Sequence, residues 1–157
     1  MPLKTLKEYL DRNHIRYELI AHAPTFTSQE TAASAHVPGR ELAKTVIVRL
    51  DGRLAMAVLP ATERLDLELL RTETGAAEAR LADEDEFRGR FSECELGAMP
   101  PFGNLFDMDV YVENALEDDE RIAFNAGTHS EIMRMRYEDF ARAVKPTTVR
   151  MAASYVT

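Results

Sequence analysis

Three places in the sequence hold side chains that packing alone does not explain. Lys44 heads an otherwise apolar run, Lys44 to Leu50 (KTVIVRL). The segment from Gly97 to Asn104 (GAMPPFGN) combines glycines, prolines and Phe102. Gly127-Thr128-His129 adds small residues, a hydroxyl and an imidazole behind a run that reads as a strand. Glycine loops expose backbone N–H groups, which aim fixed dipoles at developing negative charge. Gly97, Gly103 and Gly127 are the candidates for that task. A lysine can polarise a carbonyl or hold a phosphate as a cation, or act as a base if burial strips its proton. These parts could stabilise negative charge that develops on a bound group. Each also has a plainer reading: Lys44 as a strand-end lysine in solvent, His129 as a turn cap, Phe102 as a core ring, Pro100-Pro101 as a stiffened turn.

Other chemistries fail on spacing. Pro38 to Thr45 (PGRELAKT) ends like a phosphate-binding loop, but Pro38 and Ala43 occupy the places of its two glycines, so the backbone cannot curl around phosphates. His14, His22, His36 and His129 are scattered, without the i, i+4 pairing or cysteine cluster a zinc site needs. Cys94 lies between Glu93 and Glu95, which raise a thiol pKa and disfavour a nucleophile. The acidic run Asp83 to Glu86 reads as the start of a helix, where carboxylates meet the positive end of the dipole.

The elements that must position these residues follow from periodicity. Leu3, Leu6, Tyr9 and Leu10 predict an opening helix ending near Asn13. Tyr17 to Ala21 reads as a strand, Thr27 to Glu30 as a capping box, and Thr31 to Ala35 as the helix it starts. Lys44 to Leu50 and Leu54 to Leu59 flank Asp51-Gly52 and predict a hairpin. Leu65 to Thr74 and Asp83 to Phe91 read as helices. Met108 to Glu113, Arg121 to Asn125 and Glu131 to Arg136 read as strands, Tyr137 to Val144 as a closing helix, and Thr147 to Met151 as a last strand. Helices interrupt strands without strict alternation. The expectation is one α+β domain over residues 1–157, with a mixed, mostly antiparallel sheet flanked by helices.

With 157 residues, the chain can bury enough surface to need no staple. Its 19 basic and 27 acidic residues give a net charge of −8, which argues against wrapping DNA or any long duplex. Contact with one short RNA end stays open, because a local patch outvotes net charge at close range. No apolar run approaches the ~20 residues of a membrane span. The single Cys94 and the lack of a signal-peptide core point to the cytoplasm.

In this order and spacing the motifs resemble the YbaK/ProX family of aminoacyl-tRNA editing domains. The likeness spans nearly the whole chain: Thr25 to Glu30, Ala43 to Val48, Gly97 with Pro101 running into Phe102-Gly103, Phe124 to His129 (FNAGTH), and Asp139-Phe140. The resemblance implies a free-standing, cytoplasmic deacylase that hydrolyses the ester of a mischarged tRNA without metal or other cofactor. By resemblance, Lys44 is the functional lysine, and Thr45, Gly97, Pro101, Phe102, Gly103, Gly127, Thr128 and His129 form the substrate pocket. Thr45 stands where the proline-synthetase-like branch often has Asn, and Pro100 where many members have a small hydroxyl residue. Both bear on amino-acid specificity. The implied partner is the tRNA acceptor end, with an aminoacyl-tRNA synthetase as a second candidate. Competing readings are a module that binds an aminoacyl or nucleotide end without turnover, and a hydrolase of other small esters.

Overall fold

The computed structural model describes residues 4–21, 37–91, 94–95 and 97–154. The expected capping box at Thr27 to Glu30 and helix at Thr31 to Ala35 lie outside these residues. Helix α1 (Lys4–Arg12) carries the predicted stripe and buries Leu6 and Leu10. It is followed by β1 (Glu18–Ala21).

The hairpin forms as its sequence demands. Strands β2 (Ala43–Leu50) and β3 (Arg53–Pro60) pair antiparallel from Ala43↔Pro60 to Leu50↔Arg53. Asp51 and Gly52 take φ of +50° and +82°, the positive values a two-residue hairpin turn needs. The Asp51 carboxylate also accepts from the N–H groups of Ala77 and Glu78, at 2.9 and 2.8 Å, tying the turn to the segment that follows α2.

Several short elements depart from expectation. Leu65 belongs to a strand, β4 (Glu63–Leu65), and helix α2 (Leu67–Thr74) starts only after Asp66. The Asp66 side chain accepts from the Leu69 N–H at 3.0 Å, so this N-cap fixes the helix start. The Ala-rich piece that follows contains β5 (Ala79–Leu81). The helix expected over Asp83 to Phe91 is split into α3 (Glu84–Phe87) and a 3₁₀ turn (Arg88–Phe91). Gly89 within that turn weakens a continuous α-helix. The remaining elements are β6 (Asp109–Glu113), β7 (Arg121–Asn125), β8 (Glu131–Arg136), α4 (Tyr137–Val144), β9 (Thr147–Val149) and β10 (Ala152–Ser154).

The strands form three sheets, in the orders β5-β2-β3-β6-β9, β1-β8-β7 and β10-β4. The β3–β6 and β6–β9 pairs are parallel, and the other pairs are antiparallel. The fold is therefore α+β with mostly antiparallel pairing, as expected. Alternation along β2 and β3 divides the interior. Ala43, Ile47, Met56 and Val58 face the main core, with α1, α4 and the three-stranded sheet. Val48, Ala55, Ala57 and Leu59 face a second cluster with Leu70 of α2 and Met151.

Phe102 sits at the centre of the main core. Its ring lies 5.5 Å from those of Phe124 and Phe140 and 6.4 Å from that of Tyr9, all edge-on. Burial of such a ring contributes roughly 1.5–3 kcal/mol, and each aromatic pair about 0.5–1.5 kcal/mol more.

Candidate active site

The sequence candidates reach the site from three elements. Lys44 and Thr45 are the second and third residues of β2, the Gly97 to Pro101 loop follows the 3₁₀ turn after α3, and residues 127–130 lie in the loop between β7 and β8. The last loop is closed at its base by the Ala126 N–H donating to the Glu131 carbonyl at 3.0 Å. Gly127 holds φ at +95°, a conformation that strains any residue with a Cβ.

Backbone hydrogen bonds weld the two glycine loops together. The Glu95 N–H donates to the Gly127 carbonyl at 2.8 Å, and the Gly127 N–H returns a bond to the Ala98 carbonyl at 2.9 Å. The His129 N–H donates to the Glu95 carboxylate at 3.2 Å. Gly97 has φ +86°, and a Cβ built there would stand 3.3 Å from Cε1 of His129. The imidazole therefore packs on the bare face of Gly97. Residues thirty-two positions apart are thus held as one unit, and the absent side chain makes room for the ring.

β2 reaches this unit through β7. Leu42 forms a parallel bridge with Ala123, and the Ala123 N–H donates to the Glu41 carbonyl at 2.9 Å. Lys44 stands two residues beyond Leu42, and Asn125 two beyond Ala123, with both chains running the same way. β2 therefore starts beside β7, the strand that leads into Gly127-Thr128-His129, with Lys44 on the face of Leu59 and Thr45 on the opposite face, that of Val58. Lys44 is partly buried.

The candidate N–H groups differ in how far they are already used. The Gly127 N–H is already used by Ala98. Among the described residues the Gly97 N–H meets only the Met99 thioether at 3.2 Å, a weak acceptor. Among the described residues the Thr128 N–H donates to no acceptor. The Gly97 and Thr128 N–H groups are thus the ones without an oxygen acceptor among the described residues. Phe102 and Gly103 are buried. Phe102 has no exposed surface. A Cβ on Gly103 would fall 2.4 Å from the Met108 carbonyl oxygen, so glycine is needed there for close backbone approach. Both support the loop from the core side, and Pro101 is buried with them.

Asn125 was not among the sequence candidates. Its Oδ1 and the Thr45 Oγ1 are buried without a hydrogen-bond partner. Such an oxygen costs roughly 1–3 kcal/mol, so each suits a place where a ligand donates. The available signal was an amide closing an otherwise apolar strand, Ile122-Ala123-Phe124.

Comparison with known proteins gives this geometry a family. The family described as "Aminoacyl-tRNA editing domain" matches residues 22–143. The chain belongs to the aminoacyl-tRNA editing domain family, and its activity is deacylation of mischarged aminoacyl-tRNA. It is 27% identical over 142 residues to the Prolyl-tRNA editing protein ProX of Acetoanaerobium sticklandii, spanning 87% of this chain and 86% of that protein. Its fold is similar to the crystal structure of a hypothetical protein, with TM-score 0.83, 21% identity, and 96% and 100% of the two chains covered. It is also similar to that of a proposed trans-editing enzyme for prolyl-tRNA synthetase, with TM-score 0.80, 17% identity and 95% of each chain covered. No described helix is long and apolar enough to cross a membrane.

Proposed function

We propose that this chain acts in trans on the 3′ end of a mischarged tRNA, in the cytoplasm, with Lys44 as the cation that holds the terminal phosphate or polarises the ester carbonyl. The N–H groups of Gly97 and Thr128 face the developing oxyanion, where fixed dipoles need no reorganisation as charge forms. Thr45 and Asn125 accept hydrogen bonds from substrate donors. His129, seated on Gly97, walls the pocket. The ribose hydroxyl next to the ester helps activate the attacking water, since none of these side chains is a convincing nucleophile. A synthetase that produces the mischarged tRNA is the proposed protein partner. The observation that carries this reading is the union of the Gly97 and Gly127 loops, with the His129 ring packed against Gly97.

The test is deacylation of a panel of mischarged tRNAs, including Ala-, Cys- and Ser-charged species, by wild type and Lys44→Ala. Turnover of one species that falls at least ~100-fold in the variant is expected, the loss typical of a removed electrostatic stabiliser. A 2′-deoxy terminal adenosine hydrolysed at the normal rate would remove the neighbouring hydroxyl from the mechanism. Lack of turnover across the panel favours a binding module.

A further inference from the structure

Away from this site lies a polar groove of about 780 Å³ at the far end of β2, between the β2–β3 turn, the start of β6 and the end of α4. Its charges are unusual for this molecule. Many of the described arginines are ion-paired, Arg80 with Glu86 and Arg150 with Glu73 among them. In the groove, Arg53 and Lys145 have no ion-pair partner among the described residues, and Arg90 donates only to the carbonyls of Phe106 and Asp107, at 3.3 and 3.0 Å. A backbone carbonyl anchors a guanidinium without cancelling its charge. Three cations outside any ion pair among the described residues therefore line one concavity, beside the Arg49–Glu86 pair, in a protein whose net charge is −8. The same lining carries two exposed carboxylates, Asp107 and Asp109, and the Asn104 amide.

A purely anionic ligand would be repelled by those carboxylates. A ribonucleotide strand would not, because it presents phosphates to cations and ribose 2′-hydroxyls to acceptors within one repeat. The spacing also fits. From Thr45 to Arg49, which lines the groove, β2 runs four residues, about 13 Å at ~3.3 Å each. That is the length of about four stacked nucleotides at ~3.4 Å each.

We propose that this groove is an RNA-strand site, binding the sugar–phosphate chain of the substrate a few nucleotides before the esterified end. Arg53, Arg90 and Lys145 meet its phosphates, and Asp107 and Asp109 its 2′-hydroxyls. The proposal rests on the deacylase reading above but concerns affinity, and the two are separable. The test is fluorescence anisotropy of an uncharged RNA acceptor hairpin with a single-stranded 3′ tail, using the full chain. Wild type is compared with an Arg53→Gln/Lys145→Asn variant; Asn tolerates the left-handed backbone at 145, where φ is +54°. Hydrolysis of a 3′-aminoacyl-adenosine, too short to reach the groove, is the second readout.

The expected result is hairpin binding weakened about tenfold, a slope of log affinity against log salt shallower by about 1.5, and unchanged hydrolysis of the short ester. Hairpin affinity and slope equal to wild type would overturn the proposal. So would a parallel loss in the short ester, which would make the groove a support of the active site. A DNA hairpin bound as tightly as RNA would remove the role of Asp107 and Asp109 and overturn the site as an RNA reader. Groove-dependent binding without ester hydrolysis by wild type would uphold the groove and reject the deacylase mechanism. Wild type that neither binds nor hydrolyses would overturn both.

Discussion

Gly97→Ala offers the sharpest test of how the site is built. Two costs can be worked from the structure. Alanine at φ +86° pays the left-handed penalty of roughly 1–2 kcal/mol, offset by about 0.4–1 kcal/mol from the stiffer unfolded chain. The net is a loss of about 1 kcal/mol, or a Tm lower by roughly 2–4 °C for a chain of this size. The second cost is local. The new methyl would press His129 Cε1 at 3.3 Å, so the imidazole must yield by a few tenths of an ångström. Displacement of a group that shapes the pocket is expected to lower kcat/KM by roughly 10–100-fold.

Gly75 supplies the internal control. It caps α2 at φ +74°, and a Cβ there meets nothing within 4 Å. Gly75→Ala should therefore show the same loss of stability with full activity. Thermal unfolding and deacylation of the cognate mischarged tRNA, measured on both variants, separate backbone strain from site geometry. Equal activity in the two would refute the claim that His129 on Gly97 matters to catalysis. An unchanged Tm in both would refute the backbone argument itself.

Two further outcomes concern the scaffold. Glu113, buried at 5% exposure, accepts from the N–H groups of Ala115, Met151 and Ala152 at 2.7, 2.9 and 3.2 Å. Glu113→Ala leaves these donors unmet and is expected to cost roughly 3–5 kcal/mol in urea unfolding, with Glu113→Gln milder; a midpoint unmoved by the alanine variant would contradict this. The Glu86 carboxyl is held down to about 2, chiefly by the Arg80 guanidinium, then by the Asp83 N–H and Arg49. A depressed carboxylate stabilises the fold above its unfolded pKa near ~4.3 and loses that effect as pH falls toward 2. The stability gap between wild type and Glu86→Gln should thus be flat above about pH 5 and shrink below about pH 4. A gap constant down to pH 2.5 would disprove the assignment.

What the sequence reveals follows from the range of its signals. The β2–β3 hairpin is legible because β-branched residues and Asp-Gly act within a few positions. Helices α1 and α4 are legible because their apolar stripes repeat at helical spacing. The three-residue strands β4, β5 and β10 are too short for a period, and only their partners define them: Leu65 pairs with Ala152, and Leu81 with Val48. The same limit applies at the site. Lys44 and the glycine loops stand out by residue type. That His129 lies on Gly97, or that the Gly127 N–H is taken by Ala98, depends on hydrogen bonds between distant loops that no local pattern encodes. Phe102 shows the same limit: its sequence reads equally as core ring or pocket wall, and only the fold reveals the three rings packed around it.

The pairing of β1 with β8 also governs when this fold can exist. Glu18 lies opposite Arg134, so the edge strand of the three-stranded sheet is made early and its partner more than a hundred residues later. On a ribosome adding ~10 residues per second, β1 must wait about ten seconds before β8 has been synthesised. The β2–β3 hairpin needs no such delay, because its strands are joined by two residues. Synthesis thus orders assembly in time: the scaffold bearing Lys44 is available first, and the loop bearing His129 is locked against it only near the end of translation.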